Sequence, residues 1–210
     1  MAERRVVDTK TAYNLAVRVL CDTESLVKPR IAYLFGETEF NQKSVLDGAY
    51  ELYRKLNSAI FISMMGGDPI VGYPGFNKWE LELRSRGIAR SNIFSVEPLP
   101  KPNSFTEAQG IVRLAKNKGW PSLYIIAPPF HQARFFISAV TVALSEYPEL
   151  KIYNKVGVTL DWNEWGVHSQ GVLTGARKDF IDSEWDRIEK YMNLVSPEEA
   201  LRYLENRDKS

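Results

Sequence analysis

Four short apolar runs alternating with segments of helical periodicity constrain the fold of this chain more than any other feature. The runs are Ile31 to Phe35, Ala59 to Met65, Asn92 to Val96 and Leu123 to Ala127. The last of them, LYIIA, is rich in β-formers and almost wholly apolar, as expected of a strand covered on both faces of a parallel sheet. Gln42 to Leu56, Lys78 to Arg86, Ala108 to Lys118 and Phe130 to Tyr147 repeat apolar residues near the helical period. A first helix is expected over Thr11 to Leu20 and a fifth strand over Lys151 to Val156. This alternation predicts a three-layer Rossmann-like α/β fold with a mainly parallel sheet, helices on both faces and right-handed crossovers. A length of 210 residues suits one domain spanning 1–210.

From Lys178 the pattern is helical again. Lys178 to Met192 carries Phe180, Ile181, Trp185, Ile188 and Met192 on one stripe, and Ser196-Pro197-Glu198-Glu199 opens a last helix. This C-terminal extension, 158–210, is expected to pack on the domain. Leu201, Tyr203 and Leu204 serve there either as core or as a homodimer contact.

Charge and cysteine content narrow the function classes. Lys plus Arg number 27 against 26 Asp plus Glu, a net charge of +1, so nothing draws the chain to nucleic acid or to anionic membranes. Cys21 is the single cysteine, which excludes an intrachain disulfide and a multi-cysteine zinc site and reads as a small buried apolar residue in a reducing compartment. Met1 to Arg5 is polar and is not followed by the apolar stretch of a signal or anchor, so a cytoplasmic location with no membrane partner is expected.

The candidate site lies in NSFTEAQGIVRLAKNKGWPSLYIIAPPFHQARFF. Ser104-Phe105-Thr106-Glu107 has the Ser-x-x-Glu form of a capping box, and capping alone accounts for Ser104 and Glu107. Pro128-Pro129 ends the strand, which places His131 and Arg134 together in the opening turn of the next helix. Ligands of open α/β sheets gather outside the carboxyl ends of strands, where helix N-termini offer free N–H groups. His131 and Arg134 are therefore either ligand-facing or an ordinary helix-start residue and a solvated cation.

Two other segments offer chemistry. The loop GGDPIVGYPGF, with four glycines and two prolines in eleven residues, is either a lid or a plain surface loop. In the first case Gly66 and Gly67 bring backbone N–H groups to an anion, and Asp68 accepts from a ribose-like pair of hydroxyls. Trp162, Trp165 and His168 lie in the dense segment LDWNEWGVH, where the indoles either stack on a ligand or seal the core. A metal held by His131 and His168 has no ligand-type spacing and needs carboxylates from elsewhere in the chain, so no metal is expected.

NSFTEA and APPFHQAR, with the turns LFGE at Leu34 to Glu37 and MMGGD at Met64 to Asp68, resemble the YdcF, SanA and ElyC family of bacterial domains over about residues 30–147. Where that family has Asn-Thr-x-Glu-Asn-Ala, this chain has Ser104 for the Thr, Thr106 for the Glu and Glu107 for the Asn, so its acidic group is displaced by one residue. The first turn carries one glycine, Gly36, followed by Glu37, in place of several. The resemblance implies a site built from Gly36, Glu37, Gly66, Gly67, Asp68, Glu97, Asn103, Ser104, Glu107, His131 and Arg134. Arg134 would pair with a phosphate or carboxylate, Glu97 or Glu107 would hold hydroxyl or amine groups, and His131 would be the acid-base group. The ligand so implied is nucleoside-containing, such as S-adenosylmethionine or another nucleotide-like molecule, with transferase activity as one outcome. The alternatives are a hydrolase or other enzyme acting on a phosphorylated or sugar-linked metabolite, and a non-catalytic interaction protein.

Overall fold

A computed structural model describes residues 6–23, 28–97, 100–168, 171–191 and 193–209; Met1 to Arg5 and Met192 lie outside them. The chain forms a Rossmann-like three-layer α/β fold. Five parallel strands, β1 (Ile31–Leu34), β2 (Phe61–Met65), β3 (Ile93–Val96), β4 (Ser122–Ile126) and β5 (Lys151–Asn154), lie in the order β3-β2-β1-β4-β5. Alternation along β1 sends Ile31 and Tyr33 into one apolar layer and Ala32 and Leu34 into the other. Burial on both faces is why the strands read as unbroken apolar runs.

The first layer packs α1 (Thr9–Leu20), α4 (Ser104–Lys118), α5 (Gln132–Glu146) and α7 (Pro197–Lys209) on the sheet. The second packs α2 (Gln42–Lys55) and α3 (Phe76–Ser85). The chain winds outward from β1 through β2 to β3, then crosses back through α4 to lay β4 against the other side of β1. The crevice between the ends of β1 and β4 is thus the switch point at which such sheets open to ligands.

Past β5 the chain adds α6 (Phe180–Lys190) and an antiparallel hairpin, β6 (Trp165–His168) with β7 (Leu173–Ala176), which the sequence pattern did not announce. Arg177 fastens the hairpin to the β1–α2 loop. It is buried and donates to Asn41 Oδ1 (3.0 Å), to the carbonyls of Phe40 (2.7 Å) and Asp161 (2.8 Å), and to Glu164 Oε2 (2.5 Å). Thr38 Oγ1 donates to the Val167 carbonyl at 2.6 Å, one residue before His168.

Several expectations are corrected. Cys21 is exposed, because it caps the C-terminus of α1 beyond the last buried turn. Tyr203 and Leu204 are buried in the core and Leu201 is half-buried against it, so the core alternative holds for the first two. Ile181 lies on the outer side of α6, whose buried stripe is Phe180, Glu184 and Ile188. The glycine-rich loop is ordered around a tight turn in which Ile70 and Tyr73 exchange backbone hydrogen bonds of 3.0 Å. Tyr73 pins it, buried edge-on against Trp79 and donating its hydroxyl to the Met65 carbonyl at 2.7 Å. No helix among the described residues is long and apolar enough to cross a membrane.

Gly157 is where the hairpin segment leaves the sheet. Its N–H donates to the Ala127 carbonyl at 2.8 Å, extending the β4–β5 ladder, while a Cβ there would lie 2.5 Å from Ser44 Oγ and 2.8 Å from the Ser44 carbonyl. Backbone must move to admit it. Gly157→Ala is expected to cost about 1–3 kcal/mol through this overpacking, seen as a lower urea midpoint at unchanged slope; an unchanged midpoint would show that α2 does not approach so closely.

Candidate functional site

The N-terminus of α4 does not begin as its Ser-x-x-Glu pattern suggests. Asn103 is the cap: its Oδ1 accepts from the N–H groups of Phe105 (2.9 Å) and Thr106 (3.1 Å), and its own N–H donates to Thr106 Oγ1 at 2.9 Å. The capping box is therefore Asn103 with Thr106, shifted back by one residue. Ser104 and Glu107 are left free of capping duty and turn toward the end of β1.

Glu107 is buried there, and two hydrogen bonds converge on its Oε2, from the Gly36 N–H at 2.9 Å and the Tyr33 hydroxyl at 3.1 Å. Burial raises its carboxyl to about 7 against the lowering effect of those donors and of Arg134. Arg134, in the first turn of α5, donates from Nη1 to Ser104 Oγ at 2.5 Å and from Nε to Glu184 Oε2 at 2.6 Å. The two motifs that flank β4 thus meet in space.

Behind Arg134 lies a buried row of acids and imidazoles. His131, the residue before α5, places Nδ1 2.5 Å from Glu37 Oε1 and Nε2 3.2 Å from Glu184 Oε2. His168, at the end of β6, places Nε2 2.9 Å from Glu184 Oε1 and Nδ1 4.0 Å from Glu37 Oε2. Burial, then the nearby Glu184 carboxylate, pushes the Glu37 carboxyl well above its usual range. Burial, then the Arg134 guanidinium, pushes His131 well below its own. Because Arg134 Nη2 donates to His131 Nε2, the neutral imidazole carries its proton on Nδ1 and donates it to Glu37 Oε1. Burial also lowers His168. Burial alone would raise Glu184, but Arg134 and His168 outweigh it and hold the carboxylate ionised. The hydrogen bond from Arg134 Nη2 ties the guanidinium to the imidazole of His131.

Glu37, Ser104, Glu107, His131, Arg134 and His168 line one cavity of about 210 Å³, together with Thr38, Tyr73, Arg187 and the apolar side chains of Met65, Ile70, Pro102 and Phe135, while Glu184 lies behind its wall. Of the residues expected at the site, Gly36, Glu37, Asn103, Ser104, Glu107, His131 and Arg134 meet in it. Gly66, Gly67, Asp68 and Glu97 stand outside its lining. The Gly66 N–H is taken by the Val96 carbonyl at 2.7 Å, and Asp68 and Glu97 are exposed. Of the Trp-rich segment only His168 reaches the cavity. Trp165 is 55% exposed against Phe40, and Trp162 lines a separate crevice with Ser44 and Phe130. Glu184 was missed, although a glutamate four residues from both Phe180 and Ile188, inside an apolar stripe, is the kind of buried acid that periodicity exposes.

Glu107 holds its proton more tightly in the folded chain than in the unfolded one. Its penalty is absent below pH 4.5 and complete above about pH 7, where it amounts to about 3 kcal/mol. Glu107→Gln keeps an acceptor for Gly36 and removes that penalty. Denaturant titrations of the two proteins are expected to show the variant gaining relative stability steadily from pH 5 to pH 8, and a difference that does not vary with pH would contradict the assignment. Neither a model of a known protein family nor a curated protein sequence matches the chain, so the reading of this cavity rests on its own chemistry.

Proposed function

We propose that this protein is an enzyme that binds a small anionic metabolite, phosphorylated or carboxylate-bearing, in the crevice between β1 and β4. The observation that carries this reading is the meeting, in one cavity at the switch point of the sheet, of Arg134 with an acid tuned to neutral pH, Glu107. An arginine fork and the N-termini of α4 and α5 suit an anion. A carboxyl near 7 suits proton transfer at physiological pH better than His131, whose two nitrogens already face Glu37 and Glu184. Glu107 is thus the group we assign to acid-base work, with Arg134 and Ser104 binding the anion.

A nucleoside-containing ligand such as S-adenosylmethionine is favoured by one further observation. The cavity shares Thr38 and Ile70 to Tyr73 with a neighbouring cleft of about 310 Å³ lined by Phe40, Pro69, Pro74 and Val167. An anionic head in the polar cavity would leave a flat, less polar portion in that cleft. The likeness of NSFTEA and APPFHQAR to the YdcF, SanA and ElyC motifs is the ground on which membership of that family is proposed. A cytosolic place of work agrees with the single cysteine.

The test is a thermal-shift screen against inorganic phosphate, sugar phosphates, nucleotides and S-adenosylmethionine, in which a ligand at a hundred times its Kd adds about 2.7 kcal/mol. An anionic hit is expected, weakened about tenfold or more in Arg134→Lys, which keeps the charge and loses the fork. A flat screen, or a hit indifferent to Arg134→Lys, would contradict the proposal.

A further inference from the structure

The inner wall of the cavity has an arrangement that anion binding does not use. One ligand atom each from Glu37, His131 and His168 lie within 4.8 Å of one another, and all three side chains are buried. On both histidines the nitrogen nearer Glu37 is Nδ1, at 2.5 Å for His131 and 4.0 Å for His168. Nε2 of His168 is hydrogen-bonded to Glu184 at 2.9 Å, and Nε2 of His131, which accepts from Arg134 Nη2, lies 3.2 Å from the same carboxylate. Glu184 is in turn held by Arg134 Nε at 2.6 Å. With a cation on the inner nitrogens, Glu184 would take the outer N–H of each imidazole, the His131 proton passing from Nδ1 to Nε2 as Arg134 Nη2 turns away, which is how ligating histidines are ordinarily oriented. Phe130 and Phe180 pack around His168, and Phe130 and Phe135 around His131, giving the cluster an apolar surround.

We propose that Glu37, His131 and His168 bind a divalent transition-metal cation of the zinc class, with Glu184 as the outer carboxylate that orients both imidazoles. Two imidazoles and one carboxylate are a donor set such cations accept, and they leave coordination positions open. All three residues line the cavity, so the open positions face the space beside Ser104 and Arg134. The cation would take the place of the proton now held between Glu37 and His131. With bonds of about 2 Å, it would widen their contact to roughly 3.3 Å, a shift within reach of side-chain rotation.

The inference depends on this cavity being a ligand site, but its evidence and its test are separate from anion binding. Tag-free chain stripped by a chelator is titrated with Co²⁺, with visible absorption as the readout, and then with Zn²⁺ in competition. One equivalent of Co²⁺ per chain is expected, with the absorption bands of nitrogen and oxygen ligands, displaced by Zn²⁺. Glu184→Gln, which removes no ligand, is expected to weaken binding roughly 10–100-fold, and His168→Ala by more, circular dichroism confirming that each variant is folded. Failure of the native folded chain to bind one equivalent overturns the proposal without recourse to any variant. Binding undiminished in folded His168→Ala overturns it as well. Metal binding with a flat anion screen would defeat only the proposed function, and an anion hit without metal binding would defeat only this inference.

Discussion

One buried carboxylate, Glu184, holds the site together. It is 2% exposed, accepts from His168 and Arg134 and lies 3.2 Å from His131 Nε2; the three arrive from the end of β6, from the first turn of α5 and from the residue before α5. A lone carboxylate in such a place would cost several kcal/mol, and the cost is met only when its partners arrive together. α6 is therefore bound to the strand ends by electrostatics as well as by Phe180 and Ile188, and the C-terminal extension becomes part of the cavity wall. Arg177 provides the second tie by fastening the hairpin that carries His168 to the loop that carries Glu37. An arginine pairing at each point suits this work, because the guanidinium keeps its charge and satisfies several acceptors from one position.

The sequence discloses the architecture because the parallel sheet is covered on both faces, and that covering leaves uninterrupted apolar runs that few other arrangements require. It discloses half of the cavity for a similar reason, since His131 and Arg134 follow a strand that Pro128-Pro129 terminates. It misleads at α4. SFTE and NSFT both satisfy a capping pattern, and only the burial of Glu107 against Gly36 and Tyr33 decides between them. Local chemistry cannot register a choice made by a residue 71 positions away.

The other half of the cavity is hidden by distance along the chain. Glu37, His131, His168 and Glu184 have no regular spacing, and their convergence depends on the hairpin β6–β7, whose strands are four residues each and include Gly166 and Gly175. Glycine-bearing strands of that length give little periodic signal. Gly66, Gly67 and Asp68 resemble an anion loop in sequence, yet the ladder with β3 takes the Gly66 N–H and Tyr73 fixes the loop from its other end.

The most direct measurement is imidazole ¹⁵N NMR of the metal-free protein, because the chain has only two histidines and both belong to the cluster. The account predicts that His131 and His168 stay neutral from pH 6 to pH 8, His168 with its proton on Nε2 facing Glu184 and His131 with its proton on Nδ1 facing Glu37. An imidazole that titrates near 6.5, as an exposed histidine does, or a His168 that carries its proton on Nδ1, would contradict the buried cluster on which the account depends.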